Sequence, residues 1–85
     1  MRHVVGGRDQ VVISIRTVAV DALAFGAHGV IIAHNHPSGD VTPSARDVAF
    51  TRALAAGLRT VEVVLFDHVV IAGDRVASLR AMGVV

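Results

Sequence analysis

The sequence predicts an α/β layer fold, a sheet with helices packed against it. Three observations point there. Short β-branched runs recur along the chain, two stretches with helical apolar spacing lie between them, and Gly and Pro fall at the changeovers. A chain of 85 residues accommodates one domain, here residues 1–85, and no repeat, linker or low-complexity tract divides it.

Residues 11–15 follow the Gly6-Gly7-Arg8-Asp9 turn signal and read as a strand, with Val4 and Val5 as hairpin partner. Residues 18–27 set Val18, Ala22 and Phe25 among the small Ala19, Ala24 and Gly26, which fits a packed helix ended by Gly26 and Gly29. Residues 30–33 form a short apolar run, expected as a buried strand. Residues 34–43 contain both prolines, a glycine and short polar side chains, so a loop leaves that strand's end. A second helix is expected from Pro43 or Ser44, capped by Thr42 or Ser44, with Val48, Leu54 and Leu58 facing the core and Gly57 near its end.

Residues 61–66 and 69–72 are strand material on either side of Asp67-His68. Gly73-Asp74 is a two-residue turn into a strand at 76–78. Hairpin signals at both ends of the chain predict antiparallel edges on the sheet.

Composition narrows the function classes. The chain is 53% hydrophobic and 18% charged with mean hydropathy +0.62, too apolar for disorder and rich for an isolated small monomer. Part of its surface is expected to meet a second copy or a partner chain. No apolar run approaches the roughly 20 residues that span a bilayer. Arg2, His3, Arg8 and Asp9 interrupt any signal-peptide core, so a soluble, cytoplasmic protein without a membrane partner is expected. The eight basic residues, all Arg, are scattered against seven acids for a net charge of +1. With three Phe and neither Trp nor Tyr, the chain lacks both the charge footprint and the stacking platform of a nucleic-acid binder.

There are no cysteines, so a metal would be held by histidine and carboxylate. His34 and His36 stand two residues apart, and in an extended segment both imidazoles point to one side. Asp47, near the start of the second helix, can add a third, oxygen ligand and leave a tetrahedral position for water. Zinc lowers the pKa of such a water to about 7 and polarises a carbonyl, which suits peptide or isopeptide hydrolysis. Ser44, three residues before Asp47, shares its helical face and can donate to an oxyanion.

Each of these residues also has a plainer reading. Ser44-x-x-Asp47 is a helix-capping pattern, and two loop histidines can bond locally. Asp40 is near enough in the loop to approach a metal, yet Gly39-Asp40 is also an ordinary turn. Asp67-His68, between apolar runs, is expected to turn or order the backbone. His3 and His28 read as bystanders.

The string from His34 to Asp47, HNHPSGDVTPSARD, resembles the signature of JAMM (MPN-plus) metalloproteases, and of their RadC-like branch in particular. Thr51 with Leu54, the run Leu65-Phe66-Asp67-His68-Val69-Val70, Ser78-Leu79 and Gly83 extend that resemblance from about Gly6 to Gly83. It implies a JAMM/cytidine-deaminase-like layered sheet flanked by helices, with the N-terminal helix and first strands of the family's domain outside this chain. It also implies zinc on His34, His36 and Asp47, Ser44 as catalytic oxyanion donor, and a peptide or isopeptide substrate. RadC-like proteins carry a DNA-repair label, which the charge pattern here does not favour.

The resemblance further implies a glutamate upstream of His-x-His that moves the proton from water to the leaving amine. No Glu precedes His34; the acids there are Asp9 and Asp21, and the single Glu is Glu62. Three expectations stand side by side: a fragment or late start of a longer protein, a glutamate lent by a partner, or a non-catalytic interaction module that keeps the fold.

Overall fold

A computed structural model describes residues 2–5 and 14–85. Its order is β1 (Arg2–Val5), α1 (Ile15–Ala24), β2 (Gly29–Asn35), α2 (Ala45–Arg59), β3 (Val64–Ala72) and β4 (Arg75–Ser78). The four strands form one sheet in the order β1-β2-β3-β4, the mixed α/β architecture expected. Strands β1, β2 and β3 run parallel, and β4 returns antiparallel to β3. No helix among the described residues is long and apolar enough to cross a membrane.

Helix α1 begins where Ser14 accepts from the Thr17 backbone N–H at 3.0 Å. It ends where Gly26 takes φ +64, with Gly26 N–H donating to Leu23 and Ala27 N–H to Ala22. This is the paired-bond arrangement that satisfies the last carbonyls. Helix α2 starts with a capping box. Ser44 Oγ accepts from Asp47 N–H, and the Asp47 carboxylate accepts from Ser44 N–H at 2.8 Å. Its other end closes the same way as α1, Val63 N–H donating to Leu58, but a glutamate, Glu62, occupies the left-handed position with φ +62.

The buried face of α2 is Asp47, Thr51, Leu54 and Leu58, spaced four, three and four residues apart. Leu54 and Leu58 join Val18, Ala22, Val30, Ile32, Val63 and Leu65 in one core that ties α1 and α2 to the same face of β2 and β3. Each fully buried Leu contributes roughly 1.5–3 kcal/mol. Helices α1 and α2 approach closely because Gly57 has no side chain, and a Cβ there would come within 3.0 Å of Ile15. The opposite face of the sheet exposes Ile31, Val64, Phe66 and Val76.

Several expectations change. Residues 11–13 of the proposed first strand lie outside the described residues, while Ser14 caps α1 and Ile15 opens it, because the Ser hydroxyl offers the helix start a better use. Val4 and Val5 sit in β1, which pairs parallel with β2, so this edge is not antiparallel. Phe25 is 78% exposed at the C-cap of α1, past the last turn that meets the core. Val48 is half-buried, since the 47-51-54-58 face claims the contact. Residues 61–63 close α2 and are not strand, and β3 runs unbroken through Asp67-His68 with a register shift opposite Val30 and Ile31. Ladder bonds on both sides outweigh the local turn preference of Asp.

The two helix ends predict stability changes of opposite sign. Gly26→Ala forces a side chain into the left-handed region with no compensating contact and is expected to cost about 1 kcal/mol. Glu62→Gly removes that strain and is expected to gain up to about 1 kcal/mol. Urea midpoints of both variants against the wild type measure this.

Candidate metal centre

Three elements bring side chains to one end of the core. Along β2 the helix-facing residues are Val30, Ile32 and then His34, so the face turns from apolar to polar toward the strand's C-terminal end. The expected loop begins later than residue 34, because β2 continues to Asn35 and His36 N–H still donates to the Ile71 carbonyl at 2.8 Å. That extended geometry puts both imidazoles on the helix side. Asp47, in the first turn of α2, closes the site from above.

His34 Nε2 lies 3.7 Å from Asp47 Oδ1, and His36 Nε2 lies 3.3 Å from Asp47 Oδ2. The three ligand atoms, one per residue, lie within 4.8 Å of one another. Donors held about 2.0–2.1 Å from one tetrahedral ion stand about 3.3–3.4 Å apart, so the two contacts to Asp47 are near that spacing and the set as a whole would draw together around an ion. Buried His34 Nε2, His36 Nε2 and Asp47 Oδ1 have no hydrogen-bond partner. Buried polar atoms are normally paired, and three unpaired ligand atoms this close together suit the coordination of a cation.

The second nitrogen of each histidine is engaged. His36 Nδ1 lies 2.7 Å from the Asp40 carbonyl oxygen, which only accepts, so Nδ1 carries the proton and Nε2 the lone pair a metal needs. His34 Nδ1 lies 2.7 Å from His68 Nε2, and His68 Nδ1 lies 2.6 Å from Thr51 Oγ1. Burial is the main cause that lowers His34, against the Asp47 charge that raises it. Burial also pushes His68 down to about 4, helped by His34 and opposed by Asp47 and Asp67. Burial works to raise Asp47, but hydrogen bonds from Ser44 and the charges of His34 and His36 outweigh it and leave the carboxyl below its ordinary range.

The structure thus brings His34, His36 and Asp47 together and keeps Ser44 beside Asp47, as expected from their spacing. Asp40 contributes differently. Its carboxylate accepts from Thr42 N–H at 2.9 Å, a bond that lowers its pKa, and its backbone carbonyl is what touches the site. Asp67 orders the backbone as expected, accepting from His68 N–H, Arg80 N–H and the Ser78 hydroxyl. His68 does not share that role. It is fully buried against His34, a placement the sequence reading missed. A histidine inside an apolar strand must find a partner, and that rule was the available signal. His28 is exposed and away from the centre.

Residues 2–84 match the RadC-like JAB domain. The chain belongs to the RadC-like JAB family. It is similar to a UPF0758 protein of Cupriavidus pinatubonensis, 47% identical over 78 residues that cover 92% of this chain and 34% of that protein. A UPF0758 protein of Bordetella avium is 43% identical over 70 residues, 82% of this chain and 31% of the relative. One from Carboxydothermus hydrogenoformans is 36% identical over 77 residues, 91% and 34%. The RadC-like chain therefore spans about a third of the length of the curated relatives it matches.

The buried histidines of this RadC-like domain predict acid sensitivity. Unfolded, the His68 ring takes a proton near pH 6.5; folded, it resists until about 4. The unfolded chain binds more protons between those values, so acidification favours unfolding. With a chelator present, stability is expected to be full above about pH 6.5 and to fall by roughly 3 kcal/mol on reaching pH 4, with His34 acting in the same direction. Denaturant titrations at intervals across that window check it.

Proposed function

We propose that this domain is a zinc-dependent hydrolase of the peptidase or isopeptidase type, with the metal on His34, His36 and Asp47. The observation that carries the reading is the convergence of three buried, unpartnered ligand atoms, one from each of those residues. Two imidazoles and a carboxylate form the nitrogen and oxygen set that suits a catalytic zinc. When bound, zinc supplies Lewis acidity at a scissile carbonyl and an ionisable water near neutral pH.

The chain's own residues fit the remaining tasks unevenly. Ser44 is exposed at the rim, and its Oγ accepts from Asp47 N–H through a lone pair. Its hydroxyl proton is free to donate to a developing oxyanion, so capping and catalysis are compatible in one side chain. The Ser44 to Asp47 capping bonds also fix the carboxylate that faces the two histidines. Among the described residues no glutamate stands at the site to move protons. The only glutamate, Glu62, stands past the far end of α2, whose axis alone runs about 18 Å from Asp47 to Arg59. In this reading the acid/base group comes from chain or partner beyond these 85 residues. A second reading, a non-catalytic interaction module that still holds metal, is favoured by the same absence of a glutamate at the site.

Metal analysis after equilibration with zinc is expected to find about one ion per chain in the wild type and none in His34→Ala. Equal zinc in both overturns the metal assignment. For the activity, chelator-sensitive cleavage of a peptide or isopeptide substrate is expected when the segment or partner that carries the acid/base group is present, and Ser44→Ala is then expected to lower turnover about a hundredfold with zinc retained. Zinc-loaded protein that cleaves neither substrate in that complete setting leaves the interaction module as the function.

A further inference from the structure

His34 differs from its partner histidine in how its second ring nitrogen is held. His36 lies at the start of a loop and meets a backbone carbonyl of that loop. His34 lies within the sheet, where the backbone carbonyls on either side are committed to the ladder, and its Nδ1 meets a side chain of the neighbouring strand. That side chain, His68, is fully buried, and so is Thr51 behind it.

We propose that Thr51 and His68 form a directional hydrogen-bond relay that holds His34 in the one tautomer able to ligate a metal through Nε2. They act as positioning residues for the centre. The proposal rests on the zinc reading above for its consequence, although the relay itself is a property of the metal-free domain.

The direction follows from the far end. Thr51 Oγ1 lies 2.6 Å from the Asp47 carbonyl oxygen, one helical turn back. A carbonyl cannot donate, and two oxygens at that separation repel unless a proton lies between them, so the Thr51 hydroxyl donates to Asp47. Its remaining capacity is as an acceptor. At the 2.6 Å contact with His68, the proton therefore belongs to His68 Nδ1. A neutral His68 then has a lone pair on Nε2, which accepts from His34 Nδ1–H at 2.7 Å. The His34 Nε2 that results carries a lone pair facing Asp47 Oδ1, 3.7 Å away. The opposite tautomer of His34 would place a proton there and a lone pair against the lone pair of His68.

The relay also explains why these types occupy these positions. It needs a hydroxyl one turn after the ligand Asp47, so that one helix supplies both a ligand and the relay's fixed end. It needs a ring on β3 that accepts on one side and donates on the other. In consequence α2, β3 and β2 are cross-linked by the same bonds that set the ligand, and the Asp47 that faces the metal site with its carboxylate anchors the relay with its carbonyl. Groups that orient metal-bound histidines are commonly worth ten- to a hundredfold in metal affinity.

The test has two readouts. In the metal-free wild type at neutral pH, nitrogen-15 spectra of the imidazoles are expected to report His34 and His68 both protonated at Nδ1. His34 protonated at Nε2 overturns the relay, whether or not the domain binds zinc. Zinc affinity by chelator competition is the second readout. His68→Leu and Thr51→Val are expected to weaken zinc at least tenfold, whereas Thr51→Ser keeps the hydroxyl and stays within about threefold of wild type. Folding of each variant is checked by circular dichroism. Folded Thr51→Val with wild-type affinity and an unchanged His34 tautomer overturns the proposal. Failure of the wild type to bind zinc overturns the proposed function instead, because the spectra read the relay independently.

Discussion

The Asp47 carboxylate is the constraint on which the rest of this structure depends. It is 1% exposed, and a carboxylate taken from water costs several kcal/mol unless its charge and lone pairs are met. One oxygen is met by the Ser44 N–H of the capping box and faces His36; the other faces His34 and has no donor. The same residue fixes the start of α2, receives the Thr51 hydroxyl on its carbonyl, and aims at both histidines. Helix placement and site geometry are therefore one problem with one solution.

That solution divides the interior lengthwise. Leu54 and Leu58 of α2 rest on Val30, Ile32 and Leu65, while Asp47 and Thr51 on the same helical face rest over His34 and His68. The apolar half supplies burial energy, and the polar half is tolerable because its bonds are mutually directed. Substituting any member of the polar half alone leaves buried donors or acceptors unmatched, which is more damaging than losing the bond itself.

The apolar surplus of the composition also has a place. Ile31, Val64, Phe66 and Val76 lie exposed on the sheet face away from α1 and α2. Phe66 falls at the register shift between β2 and β3, and its ring lies over Gly29, where a Cβ would overlap it. The shift lets Asp67 reach Ser78 and Arg80 while His68 returns to the helix side.

The sequence by itself determined the parts that close within a few residues. The Ser44 to Asp47 cap, the Gly26 helix end, the Gly73-Asp74 turn and the His34-x-His36 pair were legible because each depends on separations of one to four positions. The metal-capable triad spans 13 positions, and it was legible because a strand end and the next helix start bring its members together. Glu62 hid a helix end because glycine is the usual sign of one. Only the tertiary structure decided that β1 lies parallel to β2, that Val48 yields to Asp47 and Thr51, and that His68 meets His34 across 34 positions of chain. Strand partners are chosen by the packing of whole faces, and no local pattern encodes which side chain will stand across the ladder.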